Sequence, residues 1–499
     1  MICVLKLEAK KIIRFFGANQ HNHKKINMYI QHKKISIRIL MVMIIAIGFV
    51  SCRNYKELTN VPQPDTKNMV RDAIENNTDT TSLTNIPWRT YFPDTKLQTL
   101  IAEGLENGYN MKVSLTRIQQ AEASLYISKS AFLPSVSAAG RIDHTRTSSG
   151  SRGTDVFGYT SNINSLGLTA SWEADLWGKL NSQTKSKYTA YLNTLEYRKL
   201  IQTTLISSIA KSYYSLMALD EQLRTTKETI VLLQKSTETL QALKDAGQIT
   251  AAGVEQSKAL LYSTQLSVFD LESKIRQQEN AICILIGRIP GAIERGTIND
   301  QIIPSTMNGN ISVRTLANRP DVKQAELSLQ SAYALTDAAK AAFYPSFSIS
   351  TLSVGFVAGG FSKFFSPASL AAEIIAGITQ PVFSRGQLKG NLKITKAQQD
   401  EALLTFSNTL LVAGQEVSDI LYSYKSLVNK NEWRDKQLES LTKSVDYTQE
   451  LLKAGEANYT EVLSAQKDLL SAQLSKVNDK LDQLTQSVNL YKALGGGVQ

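Results

Sequence analysis

Residues 101–494 contain one unit written twice. Gln120-Ala-Glu-Ala-Ser-Leu125 returns as Gln324-Ala-Glu-Leu-Ser-Leu329, and Ser130-Ala-Phe-Leu-Pro-Ser-Val-Ser137 returns as Ala341-Ala-Phe-Tyr-Pro-Ser-Phe-Ser348. Trp177-Gly-Lys-Leu180 answers Arg385-Gly-Gln-Leu388, and Leu243-Lys-Asp-Ala-Gly247 answers Leu451-Leu-Lys-Ala-Gly455. Whatever one copy folds into must therefore occur twice, a tighter constraint than any bulk property. The interval between the first two motifs is about one heptad longer in the second copy. A heptad is close to two helical turns, so a buried face stays in phase across it.

Proline divides each copy. None occurs between Pro134 and Pro290, and none follows Pro381. Such stretches permit very long helices. In the second copy, apolar residues fall at Leu403, Phe406, Leu410, Ala413, Val417, Ile420, Tyr424 and Leu427, in alternating steps of 3 and 4. After polar Asn431 and Arg434 the same phase resumes at Leu438, Leu441, Val445, Thr448 and Leu452. That is a sustained heptad pattern, the signal for a coiled coil. The first copy carries a looser version through Leu192, Leu205, Ile209, Leu216 and Leu223. A helix from Ser182 to Ala246 runs ~100 Å at ~1.5 Å per residue. Each long helix ends at a glycine-marked turn, Gly247–Gly253 or Gly455–Tyr459, because glycine adopts the left-handed conformation that stops a helix. A second helix then returns, so each copy holds one long helical hairpin.

The segments after Pro134 and Pro345 have a different period. In Asn164–Glu173, Leu166, Leu168, Ala170 and Trp172 alternate with Ser165, Gly167, Thr169, Ser171 and Glu173. Ser135–Asp143 alternates likewise; Phe347–Leu352 does so weakly, and Ala372–Thr379 does so except at Ile375. Period-2 segments of about ten residues are the mark of membrane β-barrel strands. On this reading Ser165, Thr169, Ser171 and Glu173 line water in a barrel lumen, and Trp172 on the apolar side fits a membrane interface. The Gly/Ser-rich stretches Thr145–Ser161 and Gly355–Ser369 read as the connecting loops. Four strands cannot close a barrel, and an open edge cannot sit in lipid. Three chains bring twelve strands, within the range of outer-membrane barrels, so closure itself predicts an oligomer.

The N-terminus reads as a leader. Lys33, Lys34 and Arg38 precede an apolar run from Ile39 to Val50. That run is shorter than the ~20 residues of a spanning helix, and a basic segment before a short apolar one is an export signal. Met28 is an alternative start. The run stops at Ser51-Cys52, where acylation of the thiol after cleavage yields a lipoprotein, though Phe49 and Val50 depart from the usual residues there. The net charge of +11 is concentrated here, since residues 1–51 hold nine Lys or Arg and one acid. The basic balance is therefore no argument for nucleic-acid binding. Beyond Cys52 the one remaining cysteine is Cys283, in an apolar stretch that suits a buried thiol, and the one remaining histidine is His144. This excludes an internal disulfide framework and His-cluster metal sites. With no phosphate-binding loop, HExxH or GxSxG context, the chain reads as a non-enzyme without cofactors, whose energy comes from partners.

Taken together, these residues resemble the TolC-like outer-membrane efflux factors, and most nearly the lipoprotein subclass of the OprM kind that serves RND-type pumps. The resemblance covers Cys52 to about Leu494. Its marks are Ala170-Ser-Trp-Glu-Ala-Asp-Leu-Trp-Gly-Lys179, Leu285-Ile-Gly-Arg-Ile-Pro-Gly291, Asn318-Arg-Pro-Asp-Val322, Gln380-Pro-Val-Phe383 and the duplicated Phe-x-Pro-Ser motif. It implies an α+β membrane protein: a homotrimer with a twelve-stranded outer-membrane β-barrel, a periplasmic α-barrel and a mixed equatorial belt. The expected divisions are a signal peptide at 1–51, a lipid-anchored and equatorial segment at 52–100, repeats at 101–290 and 321–494, a linker at 291–320 and a tail at 495–499.

The resemblance also implies roles. The function is a passive conduit for drugs or other small molecules, with a periplasmic adaptor and an inner-membrane RND transporter as partners. The hairpin tips dock on the adaptor, which points to Gly247, Gly253, Val254, Gly455, Val462 and Gln466. Asp446 and Asp419 resemble positions where relatives place rings of carboxylates at the periplasmic gate. A type I secretion or metal efflux channel is the alternative within the family; the scarcity of methionine outside the leader argues against copper or silver. Outside the family stands a coiled-coil lipoprotein scaffold, which shares the heptads and Cys52 but leaves the paired alternating segments without a purpose.

Overall fold

The computed structural model describes residues 55–56, 61–62, 86–146, 160–303 and 313–497. The leader and Cys52 lie outside the described residues. The chain divides into two compact units, one built around the segments after each Phe-x-Pro motif and one from the helices.

The first unit is a sheet of four antiparallel strands in sequence order: β1 (Ser135–Arg146), β2 (Thr160–Ala174), β3 (Ser346–Ala358) and β4 (Leu370–Thr379). Each copy of the repeat supplies one hairpin, and β2 pairs with β3 to join them. Register places Val136, Ala170, Leu352 and Ile374 in one row, and Ala138, Leu168, Val354 and Ala372 in the next. Successive residues alternate between faces, so these rows build one apolar face. The weak alternation of Phe347–Leu352 has a local cause. The β3 register shifts against both neighbours around Ser350. This bulge moves the apolar series from Phe347 and Ile349 to Leu352, Val354 and Phe356 without changing face. Ile375, which breaks the pattern in β4, pairs with Thr351 and so lies on the opposite face.

Two loop expectations need correction. β3 runs on through Ala358, so the stretch expected to be loop from Gly355 begins as strand. Gly355 pairs with Gly167, and a Cβ on Gly355 would meet the Gly167 Cα at 2.4 Å. Glycine here serves a close backbone approach rather than a turn. The rest of that stretch holds two single-turn 3-10 helices, at Phe361–Lys363 and Pro367–Ser369. The first connection is also shorter than expected, because β1 continues to Arg146 and β2 begins at Thr160.

The helices are α1 (Trp88–Tyr91), α2 (Thr95–Asn107), α3 (Tyr109–Ser130), α4 (Lys179–Asp245), α5 (Ala251–Ile286), α6 (Pro320–Ala341), α7 (Gln387–Ala454) and α8 (Tyr459–Ala493). α4 with α5, and α7 with α8, are the two long hairpins. Every heptad position named above in α7 is buried or half-buried, from Leu403 to Leu452. The polar interruption is matched by the returning helix. Arg434 Nε donates to Asp479 of α8 at 2.8 Å, and Lys430 Nζ reaches the other carboxylate oxygen at 2.6 Å. Burial pushes the Asp479 carboxyl up, but the hydrogen bonds from Lys430 and Arg434 outweigh it and hold the group below its ordinary range. A buried charge is tolerated only when paired in this way, and a polar interruption of a heptad seam fixes helix register.

The helical core gathers Leu97 and Ile101 of α2, Ile206, Ile209, Tyr213 and Leu216 of α4, and Ile282 and Cys283 of α5. Cys283 is the buried thiol expected. A second cluster packs Leu329 of α6 against Phe406, Leu410 and Val417 of α7 and Leu490 of α8. The motif Asn318-Arg-Pro-Asp-Val322 is a clamp. Buried Arg319 donates to Asp321 at 2.8 Å, Glu416 of α7 at 2.7 Å and the Ala493 carbonyl at 2.9 Å. The expected tail is packed where it is described: Thr203 of α4 donates to the Gly496 carbonyl at 2.7 Å. No helix among the described residues is long and apolar enough to cross a membrane.

Candidate functional site

Two surfaces carry most of the residues singled out from the sequence. The first is the polar face of the sheet. Ser165, Thr169, Ser171 and Glu173 all lie on it, opposite the leucines of β2. Ser135 and Ser171 share a hydroxyl–hydroxyl hydrogen bond of 2.8 Å, and Arg141 pairs with Asp143 on the same face at 2.7 Å. Glu173 is not a free carboxylate, because Lys179 Nζ lies 2.7 Å from it. Glu373 of β4, paired with Ser353, belongs to this face as well. The alternation of β4 sets Glu373 opposite Ala372 and Ile374, although it is not among the lumen residues named from the sequence.

The opposite face exposes Val136, Ile142, Leu166, Leu168, Val354 and Ile374. At the end of β2, Trp172 donates from its indole nitrogen to the Phe132 carbonyl at 2.9 Å. Trp177 donates to the Pro345 carbonyl and stacks on Tyr344 with centroids 4.9 Å apart. Aromatic rings with a satisfied polar tip at the end of an apolar face suit a membrane–water boundary. Among the described residues, β1 and β4 each keep one edge unpaired.

The second surface is the pair of hairpin tips. Gly247 and Gly455 adopt φ of +72° and +71°. The amide after each glycine bonds back five residues, Gln248 to Leu243 at 2.8 Å and Glu456 to Leu451 at 2.9 Å. These are matching helix stops of the kind glycine makes possible. The tips pack on each other through Leu240, Val254, Leu452 and Val462. Val254 and Val462 are each 1% exposed, so they are the core of the paired tips and not an apolar surface open to a partner. Gly253 lies in the first turn of α5, not in the turn before it. A Cβ there would stand 3.0 Å from the ring of Tyr459. Leu240 and the ring contact of Tyr459 escaped the sequence reading because their importance lies in packing between hairpins far apart in the chain. Gln466 is buried, and neither atom of its amide has a hydrogen-bond partner among the described residues.

The two acidic candidates are on α7, and the structure does not bring them together. Twenty-seven residues separate them along one helix, which is about 40 Å. Asp446 is exposed near the tip. Asp419 is exposed too, accepts a hydrogen bond from Gln415 at 3.3 Å, and shares a cleft with Glu416, Lys211 of α4 and Lys492 of α8. Burial, with the charge of Lys492, lowers the Lys211 ammonium from its ordinary value.

Comparison with known proteins places this arrangement. The model of the outer membrane efflux protein family matches residues 100–288 and 311–496, the two copies of the repeat. The chain is 27% identical to the probable outer membrane lipoprotein SilC of Salmonella typhimurium over 93% of its own length and 99% of that protein. It is 30% identical to the probable efflux pump outer membrane protein TtgC of Pseudomonas putida over 82% and 85%. A crystal structure of CusC superposes with a TM-score of 0.78 at 26% identity, covering 88% of this chain and 99% of that one. The chain belongs to the outer membrane efflux protein family.

Proposed function

We propose that three copies of this chain close their sheets edge to edge into a twelve-stranded barrel and form the passive outer-membrane conduit of a tripartite efflux system. The observation that carries the reading is the sheet itself. It has one apolar face, one polar face and, among the described residues, two unpaired edges, on the 12-residue β1 and the 10-residue β4. Such a strand is long enough to cross a bilayer, which takes ~9–11 residues. Unpaired backbone groups cannot remain in hydrocarbon, so β1 of one copy must meet β4 of the next.

In that trimer the face of Ser165, Thr169, Ser171 and Glu173 lines water, and the face of Leu166 and Leu168 meets lipid. Acylation of Cys52 anchors the chain to the outer membrane, in keeping with the word lipoprotein in the name of SilC. The tips, stopped at Gly247 and Gly455 and braced beneath by Gly253, Val254, Val462 and Gln466, receive a periplasmic adaptor that links the channel to an inner-membrane RND transporter. Rings of Asp446 and Asp419 about the trimer axis hold cations at two levels. The transporter selects the cargo. Small organic compounds suit the chain better than soft metals, since Met111 and Met217, the two described methionines, are buried in the core.

Reconstitution into planar bilayers tests the reading. The expected result is a cation-preferring conductance in single steps that needs no nucleotide. A protein that remains in water after removal of detergent and conducts nothing refutes it.

A further inference from the structure

The connection between β3 and β4 is unlike a loop built for water. Four phenylalanines, Phe356, Phe361, Phe364 and Phe365, fall within ten residues, and the stretch between Phe356 and Leu370 has a single charged residue, Lys363. The other connection carries Arg152 and Asp155 among serines, threonines and glycines, with Phe157 and Tyr159 its two aromatic residues. The phenylalanines form one cluster. Phe356 meets Phe364 at 6.2 Å and Phe365 at 5.5 Å between centroids, and Phe364 meets Phe365 edge-on at 5.0 Å. Phe361 joins through Phe364 at 6.1 Å. Backbone turns set the shape, Phe364 to Phe361 and Ser369 to Ser366. Phe364 is 5% exposed, while Phe361 and Phe365 are 69% and 72% exposed.

The side of the sheet on which this cluster sits decides its meaning. Phe356 is in register with Leu166 of β2 and Leu370 of β4. All three lie on the apolar face, so the cluster extends that face beyond the ends of the strands and away from the polar one. Exposed aromatic rings continuous with a lipid-facing surface are stabilised at the headgroup level of a bilayer. We propose that residues 359–369 lie on the outer-leaflet interface as an aromatic foot, with Phe361 and Phe365 set into lipid, and neither project into water nor fold over the pore. The inference rests on the barrel reading above.

Site-directed fluorescence tests both separately. Cys283 is fully buried and the sulfur of acylated Cys52 is no longer a thiol, so a cysteine at Phe365 can be labelled selectively with an environment-sensitive dye. Phe361→Cys is the second variant; both side chains are exposed, so the Phe356–Phe364 contact survives either change. In reconstituted protein the Phe365→Cys probe should be quenched several-fold more by lipids spin-labelled near the headgroup than by aqueous iodide. A Leu168→Cys probe should be quenched by lipids labelled deep in the chain. Iodide quenching at both Phe361→Cys and Phe365→Cys, with Leu168→Cys still quenched by deep labels, overturns the foot and leaves the barrel standing. Loss of lipid quenching at Leu168→Cys overturns the barrel reading and the foot with it.

Discussion

Replacing Gly253 by alanine should loosen the paired tips without unfolding the hairpins. The added methyl stands 3.0 Å from Cγ of Tyr459 and 3.1 Å from both Cδ atoms. Ordinary van der Waals contact between carbons lies nearer 3.5–4.0 Å. The ring has to yield by several tenths of an ångström, against the cluster of Leu240, Val254, Leu452 and Val462. Overpacking of this kind costs about 1–3 kcal/mol. If that strain is confined to the paired arrangement, the ratio of open to closed tips rises by about 5- to 150-fold. Single-channel recording reads this as increased open probability at the periplasmic mouth. The companion variant Tyr459→Ala removes the ring that the methyl strikes. In its background Gly253→Ala should have little further effect, because residues in contact are not additive. Equal effects of Gly253→Ala with and without Tyr459 would show that the clash with the ring is not the cause, and would refute the link between tip packing and opening.

Three other perturbations address different parts of the structure. Asp479→Asn leaves Lys430 and Arg434 facing a neutral amide, and breaking a buried pair costs about 3–5 kcal/mol; Lys430 remains half-exposed, so the lower end is expected, read by denaturant titration of helical circular dichroism. The same carboxyl is held below its ordinary range in the folded chain, so its stabilising contribution is complete above the unfolded carboxylate value and is lost as pH falls through the folded one; that acid-side loss should be smaller in Asp479→Asn. Gly455→Ile forces a branched residue to φ of +71°, at about 1–2 kcal/mol, and should abolish efflux in cells while trimers persist; loss of trimers instead would assign the tip to assembly. Asp446→Asn and Asp419→Asn should each lower cation selectivity in bilayers, and unchanged selectivity in both removes the two rings while leaving the conduit.

Much of this was legible because the sequence states it twice. The heptads of α7 and the alternation of β2 are periodic signals, and periodicity survives without any knowledge of neighbours. What was missed depends on partners distant in the chain. Asn431 and Arg434 look like defects in a seam until Lys476 and Asp479 of α8 are seen against them. Gly355 looks like a loop glycine until Gly167 faces it across the sheet. The bulge at Ser350 hides a continuous apolar face by shifting its phase by one residue. Val254 and Val462 are named with the docking tips because family resemblance points to a region, whereas packing decides which of its side chains are covered.

The central claim is that neighbouring copies complete a wall that one chain leaves open. Native mass spectrometry of the particle released from detergent measures this directly, by counting chains. The account predicts three copies and no stable folded monomer. A single chain, folded and retaining its four strands in the absence of partners, would contradict it.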